Sequence, residues 1–280
     1  MKINSLRPLL ISSALLSLTF LPSHVFAQKT NKDLRAVFTK VPVQNGAAGQ
    51  KPVIVLPVCT SHTNTATKIL MIDTTLMAIG DCPNVLVGLM RAAHSNAEIK
   101  LTEVIGEDYA FRNHLVDGSA AKTIDKSGPW DYVLLQPHSK ELIYKTSETI
   151  RDGQILASMA QAHQSQVFIL DAWSTNAPAA YQLMERGNQV LSVNLRAQRI
   201  PICTALFQAR NIPNVRLFRM DNHHLAADGV YLAACVLYAK LLRRSPVGLP
   251  EKVYHGTRLM CEVTPETAKQ LQTIAANLSK

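Results

Sequence analysis

Aromatic residues and charge are both scarce in this chain, at 6% and 18% of its 280 residues. Because 47% of the residues are apolar, the low charge excludes a disordered chain rather than implying one. Glycine and proline, at 12 and 14, are too few and too irregularly placed for a collagen-like protein. No internal repeat, low-complexity tract or coiled-coil pattern is present, and no second domain is delimited. Five cysteines do not make a small disulfide-stapled scaffold, and no CxxC or Cys/His spacing of the zinc type occurs. The 29 Lys+Arg exceed the 20 Asp+Glu to give a formal charge of +9. No stacked-aromatic or groove-reading motif accompanies that charge, so nucleic-acid binding is not expected.

Residues 1–27 read as a secretory signal peptide. Lys2 and Arg7 form its basic start, Leu9 to Leu21 its apolar run, and Val25-Phe26-Ala27 its cleavage site. The run is interrupted by Ser12, Ser13, Ser17 and Thr19 and is short for a span, so no stable membrane anchor is expected after cleavage. Nothing later is long and apolar enough to cross a bilayer. The mature protein is therefore expected in the periplasm or outside the cell, where disulfides can form. Cys59, Cys82, Cys203, Cys235 and Cys261 are odd in number, so at least one thiol is unpaired within the monomer, and at most one or two bridges are expected. Cys235, inside the apolar run Tyr231 to Leu242, is the expected buried free thiol.

Residues 28–67 read as an extended arm with one short strand at Val53 to Val58. From residue 68 to 280, short apolar runs alternate with helical patterns. Strands are predicted at Lys68 to Ile72, Ile99 to Val104, Tyr132 to Leu135 and Val167 to Leu170. Helices are predicted at Pro83 to Ala93, Glu148 to His163, Gly229 to Leu242 with Asp228 as its cap, and from Thr264 to about Leu278. This alternation predicts an α/β domain with a parallel sheet covered by helices on both faces. Ligands of such sheets bind beyond the carboxyl ends of the strands, which directs attention to Asp73-Thr74-Thr75, Gly106, Gln136-Pro137-His138 and Asp221-Asn222-His223-His224.

Asp221 and His224, separated by two residues before a helix, have the spacing by which a carboxylate orients an imidazole for acyl transfer. The stretches Lys68 to Leu76, Asp81 to Pro83, Val104 to Gly106, Trp130 to Gln136, Asp221 to His224, Tyr231 to Tyr238 and Arg244 to Gly248 together resemble the SGNH (GDSL-type) hydrolase superfamily. The resemblance runs from about Lys68 to Pro250. It implies a three-layer α/β/α sandwich with a short parallel sheet, and ester hydrolysis on acylated carbohydrates or other small esters without metal or cofactor. It also implies site roles: His224 as base, Asp221 as its orienting acid, and Thr75 at the nucleophile position. Gly106, Gln136 and the Thr75 N–H would form the oxyanion hole.

The departures from the family pattern are chemical. Thr75 stands where the family has serine, and Asp73 and Thr74 replace the glycine and polar residue before it. Leu225-Ala226-Ala227 replaces a proline-containing turn after the histidine. A threonine hydroxyl can attack once His224 takes its proton, but its methyl group restricts the rotamer and crowds the carbonyl carbon. The alternative is a catalytically silent SGNH-fold protein of the cell envelope that keeps the cleft for binding. Asp73, His138, Trp173 and His223 are further candidates for the pocket. The neighbouring imidazoles of His223 and His224 diverge, so no metal is expected there.

Overall fold

Ile69, Leu70, Met71 and Ile72 follow one another without a polar residue, the pattern of a strand covered on both faces, and all four are fully buried. They form the centre of β1 (Thr67–Asp73). In the computed structural model, which describes residues 66–95, 98–174 and 178–279, β1 lies between β2 (Ile99–Ile105) and β3 (Tyr132–Leu135). β4 (Gln166–Leu170) and β5 (Gln198–Ile200) extend the sheet beyond β3, giving the order β2-β1-β3-β4-β5 with every pairing parallel. Asp73 is paired with Ile105 and Ile72 with Leu135, so the first three strands end level with one another. The strand order reverses at β1, and the crevice above such a reversal is where open α/β sheets bind ligands.

Helices cover both faces. After β1 come a single turn, α1 (Thr75–Ala78), and α2 (Cys82–Ala93), with Pro83 in its first turn. β2 leads into α3 (Phe111–Val116) and α4 (Ser119–Ser127). β3 leads into α5 (Ser139–Tyr144) and α6 (Thr146–Ala162). β4 and β5 are joined by α7 (Pro178–Leu195), and α8 (Ile202–Ala209) follows β5. The chain then returns through α9 (Ala227–Leu242), a hairpin of β6 (Lys252–His255) and β7 (Arg258–Glu262), and α10 (Pro265–Asn277). α6 packs on β3, β4 and α7, while α9 packs against α2, α8 and α10.

α9 is buried without interruption from Gly229 to Ala239, as expected of a helix that is apolar all round. Gln272 of α10 ties down its middle, donating from Nε2 to Tyr231 Oη (2.7 Å) and to the Leu249 carbonyl (2.8 Å). The hairpin lies so close on α2 that a Cβ on Gly88 would come 2.7 Å from the Tyr254 carbonyl oxygen. Only glycine fits there.

The predicted strands and helices are present with ends shifted by one or two residues, and the fold class is the three-layer sandwich. One local reading is corrected. α9 begins at Ala227 with Ala226 at its cap, so Asp228 lies inside the first turn, where its Oδ2 accepts the Arg216 N–H (2.7 Å) instead. Thr264 does cap α10, accepting the Thr267 N–H at 3.1 Å. Cys82, Cys203, Cys235 and Cys261 are buried free thiols. Cys59, the signal peptide, the arm and its strand at Val53 to Val58 lie outside the described residues.

Candidate active site

The site is built where β1, β2 and β3 end. Thr74 is extended and caps α1, its Oγ1 accepting the Leu76 N–H at 3.2 Å, so Thr75 opens the helical turn. Its N–H is among those a helix start leaves without an intrahelical partner. Thr75 is half-buried, and Gly106 follows the end of β2. The Tyr109 ring lies over Gly106 at a distance that leaves no room for a Cβ, the nearest ring atom being 2.0 Å from where it would stand.

Gln136 extends the pairing of β3 with β1, its N–H donating to the Ile72 carbonyl (3.0 Å). Its side chain is buried and leans toward β4, where Nε2 donates to the Asp171 carbonyl (3.3 Å). One amide hydrogen is thereby committed, while Oε1 has no partner among the described residues.

Asp221 and His224 are brought together by the turn between them. Asp221 Oδ1 accepts the backbone N–H groups of His223 (2.8 Å) and His224 (2.9 Å), and Oδ2 lies 3.0 Å from His224 Nδ1. Those two N–H groups and the ring hold the Asp221 carboxyl well below the usual carboxylate range, the His223 N–H contributing most. An ionised Asp221 favours the Nδ1–H tautomer of His224, which leaves Nε2 as the acceptor. No hydrogen bond joins His224 to Thr75.

Of the other predicted site residues, His223 packs edge-on against His224, with centroids 5.1 Å apart, and burial lowers its pKa, the charge of His224 adding to the effect. His138 caps α5, accepting the Glu141 N–H at 3.5 Å, and its Nε2 lies 3.8 Å from Asp108. Trp173 is buried, which fits a wall or core residue rather than an open stacking platform. Its Nε1 donates to the His223 carbonyl at 3.0 Å.

Asp73 does not join the group. It is fully buried, neither carboxylate oxygen has a hydrogen-bond partner among the described residues, and burial followed by the charge of Glu103 pushes its pKa well above the ordinary value. Its main-chain carbonyl accepts from His114 Nε2 (3.2 Å), a buried histidine that sequence reasoning missed.

Also missed were the side chains behind the site. Asn188 grips Ala172, accepting its N–H (3.0 Å) and donating to its carbonyl (2.7 Å). Ser139 Oγ donates to the Trp173 carbonyl (2.7 Å). Arg199 binds Asp171 and Glu185 together. A polar residue inside α7 and an arginine within the short strand β5 carry no motif, and only their burial reveals them. On the far side of Trp173, a cavity of about 20 Å³ is lined mainly by Tyr181, Leu206, Phe207 and Phe218.

No protein-family model matches the chain, and no curated protein does. Its backbone, however, superimposes on that of a protein from Slackia heliotrinireducens provisionally assigned as an SGNH hydrolase. The TM-score is 0.54 at 20% identity, over 63% of this chain and 100% of that one. The chain has the fold of the SGNH hydrolases. A second structure, LAE5, an α/β hydrolase enzyme from the metagenome of Lake Arreo, Spain, matches with a TM-score of 0.51 at 12% identity. It covers 63% of this chain and 96% of its own. Within this fold, Gly106 and Gln136 directly follow β2 and β3, Thr75 stands two residues past β1, and His224 lies in the loop before α9.

Proposed function

We propose that this chain is an exported ester hydrolase that acts on acyl esters of carbohydrates or other small alcohols, with residues 1–27 removed on the way to the periplasm or the exterior. The observation that carries the reading is the Asp221–His224 pair, joined at 3.0 Å in a loop that Trp173, just past β4, bonds through the His223 carbonyl. Thr75 Oγ1 attacks the acyl carbon while His224 Nε2 takes its proton. The N–H groups of Thr75 and Gly106 and the Gln136 amide receive the oxyanion. On collapse, the C–O bond to the alcohol breaks and His224 returns the proton to the leaving oxygen. Water, deprotonated by His224, then releases the acid and restores Thr75.

A second reading, a silent envelope protein that binds in the same cleft, is favoured by the missing Thr75–His224 hydrogen bond and by the threonine methyl group. One experiment separates them: hydrolysis of a short-chain aryl acetate by the mature wild type, Thr75→Ser and His224→Ala. Turnover by wild type above the His224→Ala background supports the enzyme. Turnover by Thr75→Ser alone supports the silent binder, and inactivity of all three in folded form overturns the transferred mechanism.

A further inference from the structure

The loop that carries His224 is rooted by the buried side chains of Leu217 and Leu225, and beyond them few hydrogen bonds tie it to the rest of the fold. Within the loop, the Arg219 N–H donates to the His224 carbonyl (2.8 Å), and Asp221 gathers the two following N–H groups. Met220 and Asp221 are exposed, and Asn222 has a left-handed backbone, with φ at 56°. These internal bonds shape the loop without fixing where it sits. Beyond the buried Leu217 and Leu225, two side-chain hydrogen bonds set the position of its tip. Arg219, on the surface, donates from Nη2 to the Ile79 carbonyl (2.7 Å), just after the turn that begins at Thr75. Trp173, 1% exposed, donates from Nε1 to the His223 carbonyl (3.0 Å), one peptide bond from His224.

The Trp173 side of the suspension is the rigid one. Trp173 follows β4 in the segment Asp171-Ala172-Trp173, and each of its three residues is fixed through the main chain. The Asp171 carbonyl takes the Gln136 amide, Ala172 is gripped at both N–H and carbonyl by the buried Asn188, and the Trp173 carbonyl takes Ser139 Oγ. One strut thus touches the oxyanion-hole amide at its start and the loop of the base at its end. A displacement of about 1 Å between those groups can cost about a hundredfold in rate.

We propose that Trp173 is a positioning residue: its indole N–H, bonded to the His223 carbonyl, sets the His224 imidazole at a fixed distance from the Gln136 amide. The role in turnover rests on the ester-hydrolase reading, whereas the tether itself does not. A tryptophan needed only for bulk would tolerate any apolar replacement of its size.

The test replaces Trp173 in two ways in the full mature chain. Trp173→Phe keeps an aromatic ring and removes the donor. Replacement of Trp173 by 3-benzothienylalanine keeps the bicyclic shape, puts sulfur where the N–H was, and decides the matter if the phenylalanine variant fails to fold. Amide hydrogen exchange is measured at His223 and His224, whose N–H groups are bonded to Asp221. Loss of one net hydrogen bond should speed exchange at both by about threefold to tenfold, with the urea midpoint of the whole protein unchanged. In whichever of wild type and Thr75→Ser turns over the aryl acetate, kcat should fall at least tenfold while KM stays within about twofold. Unchanged exchange in the benzothienylalanine protein overturns the tether. Faster exchange with unchanged kcat overturns the positioning role. If no ester is hydrolysed by either form, the hydrolase reading and the positioning role fail with it, and the exchange data still decide the tether.

Discussion

Arg199 holds both carboxylate oxygens of Asp171, with Nε 2.5 Å from Oδ1 and Nη2 2.7 Å from Oδ2. The same guanidinium also reaches both oxygens of Glu185, so one positive charge serves two carboxylates. The half-buried Glu185 stays below its ordinary pKa: burial opposes this, but Arg199 and Thr204 outweigh it. Asp171, fully buried, is pushed up to about 7, because burial outweighs the pull of Arg199 and the charge of Glu185 adds to it. The bidentate geometry alone would argue for an ionised Asp171. Burial decides otherwise, since a second carboxylate already neutralises the arginine.

A pH dependence follows. Between the unfolded carboxylate value and about 7, the folded chain holds a proton on Asp171 that the unfolded chain has lost, so stability falls as pH rises through that window. The slope attributable to this one group is at most about 1.4 kcal/mol per pH unit. Urea melts of wild type and Asp171→Asn from pH 4 to 9 should differ by that slope up to about pH 7 and run parallel above about pH 8.

Arg199→Met should remove the cation from between its two carboxylates. Breaking a buried pair from one side costs about 3–5 kcal/mol. The loss should be largest at pH 8 and smaller at pH 5, where Asp171 is protonated, as read from urea midpoints at the two pH values.

Asp73→Ala should stabilise the protein at pH 8. The wild-type carboxyl is buried with both oxygens unpartnered, a penalty of about 1–3 kcal/mol for a polar group, and it rises as pH passes the unfolded carboxylate value. The gain should shrink at pH 5. A fall in the urea midpoint at pH 8 would mean that the carboxyl has a partner.

Asp221→Asn should leave the fold intact, because an amide oxygen can still accept the His223 and His224 N–H groups. It cannot anchor the Nδ1–H of His224 as a carboxylate does. Hydrolysis of the aryl acetate by whichever form turns over should fall about a hundredfold or more, with an unchanged circular dichroism spectrum.

The frame of this domain was legible because its signals are dense. Ile69 to Ile72 and Tyr132 to Leu135 are short and uniformly apolar, and Pro83 and Thr264 mark helix starts by removing or supplying hydrogen bonds. β5 is three residues long and contains Gln198 and Arg199, so no apolar run announces it. Asp228 misled because a carboxylate before an apolar run suits a cap, yet the helix had already begun and Arg216 claimed it. Of the site, Asp221 and His224 were legible because their contact is local, closing over three residues. Trp173–His223, fifty residues apart, and Asn188–Ala172 depend on packing between elements and leave no trace in spacing. Asp73 is a natural pocket candidate because it ends β1, but its side chain is fully buried instead.

The unbroken burial of α9 has a consequence for how this chain can vary. Most helices offer a wet side on which evolution or an engineer can place new charges, tags or labels. From Gly229 to Ala239 there is none, and a Cβ on Gly229 would stand 2.2 Å from the Leu217 carbonyl. A saturation library across the domain should show a continuous barren stretch from Gly229 to Ala239, whereas the exposed Met220 accepts almost anything and Asn222, with its left-handed backbone, favours Gly and Asp.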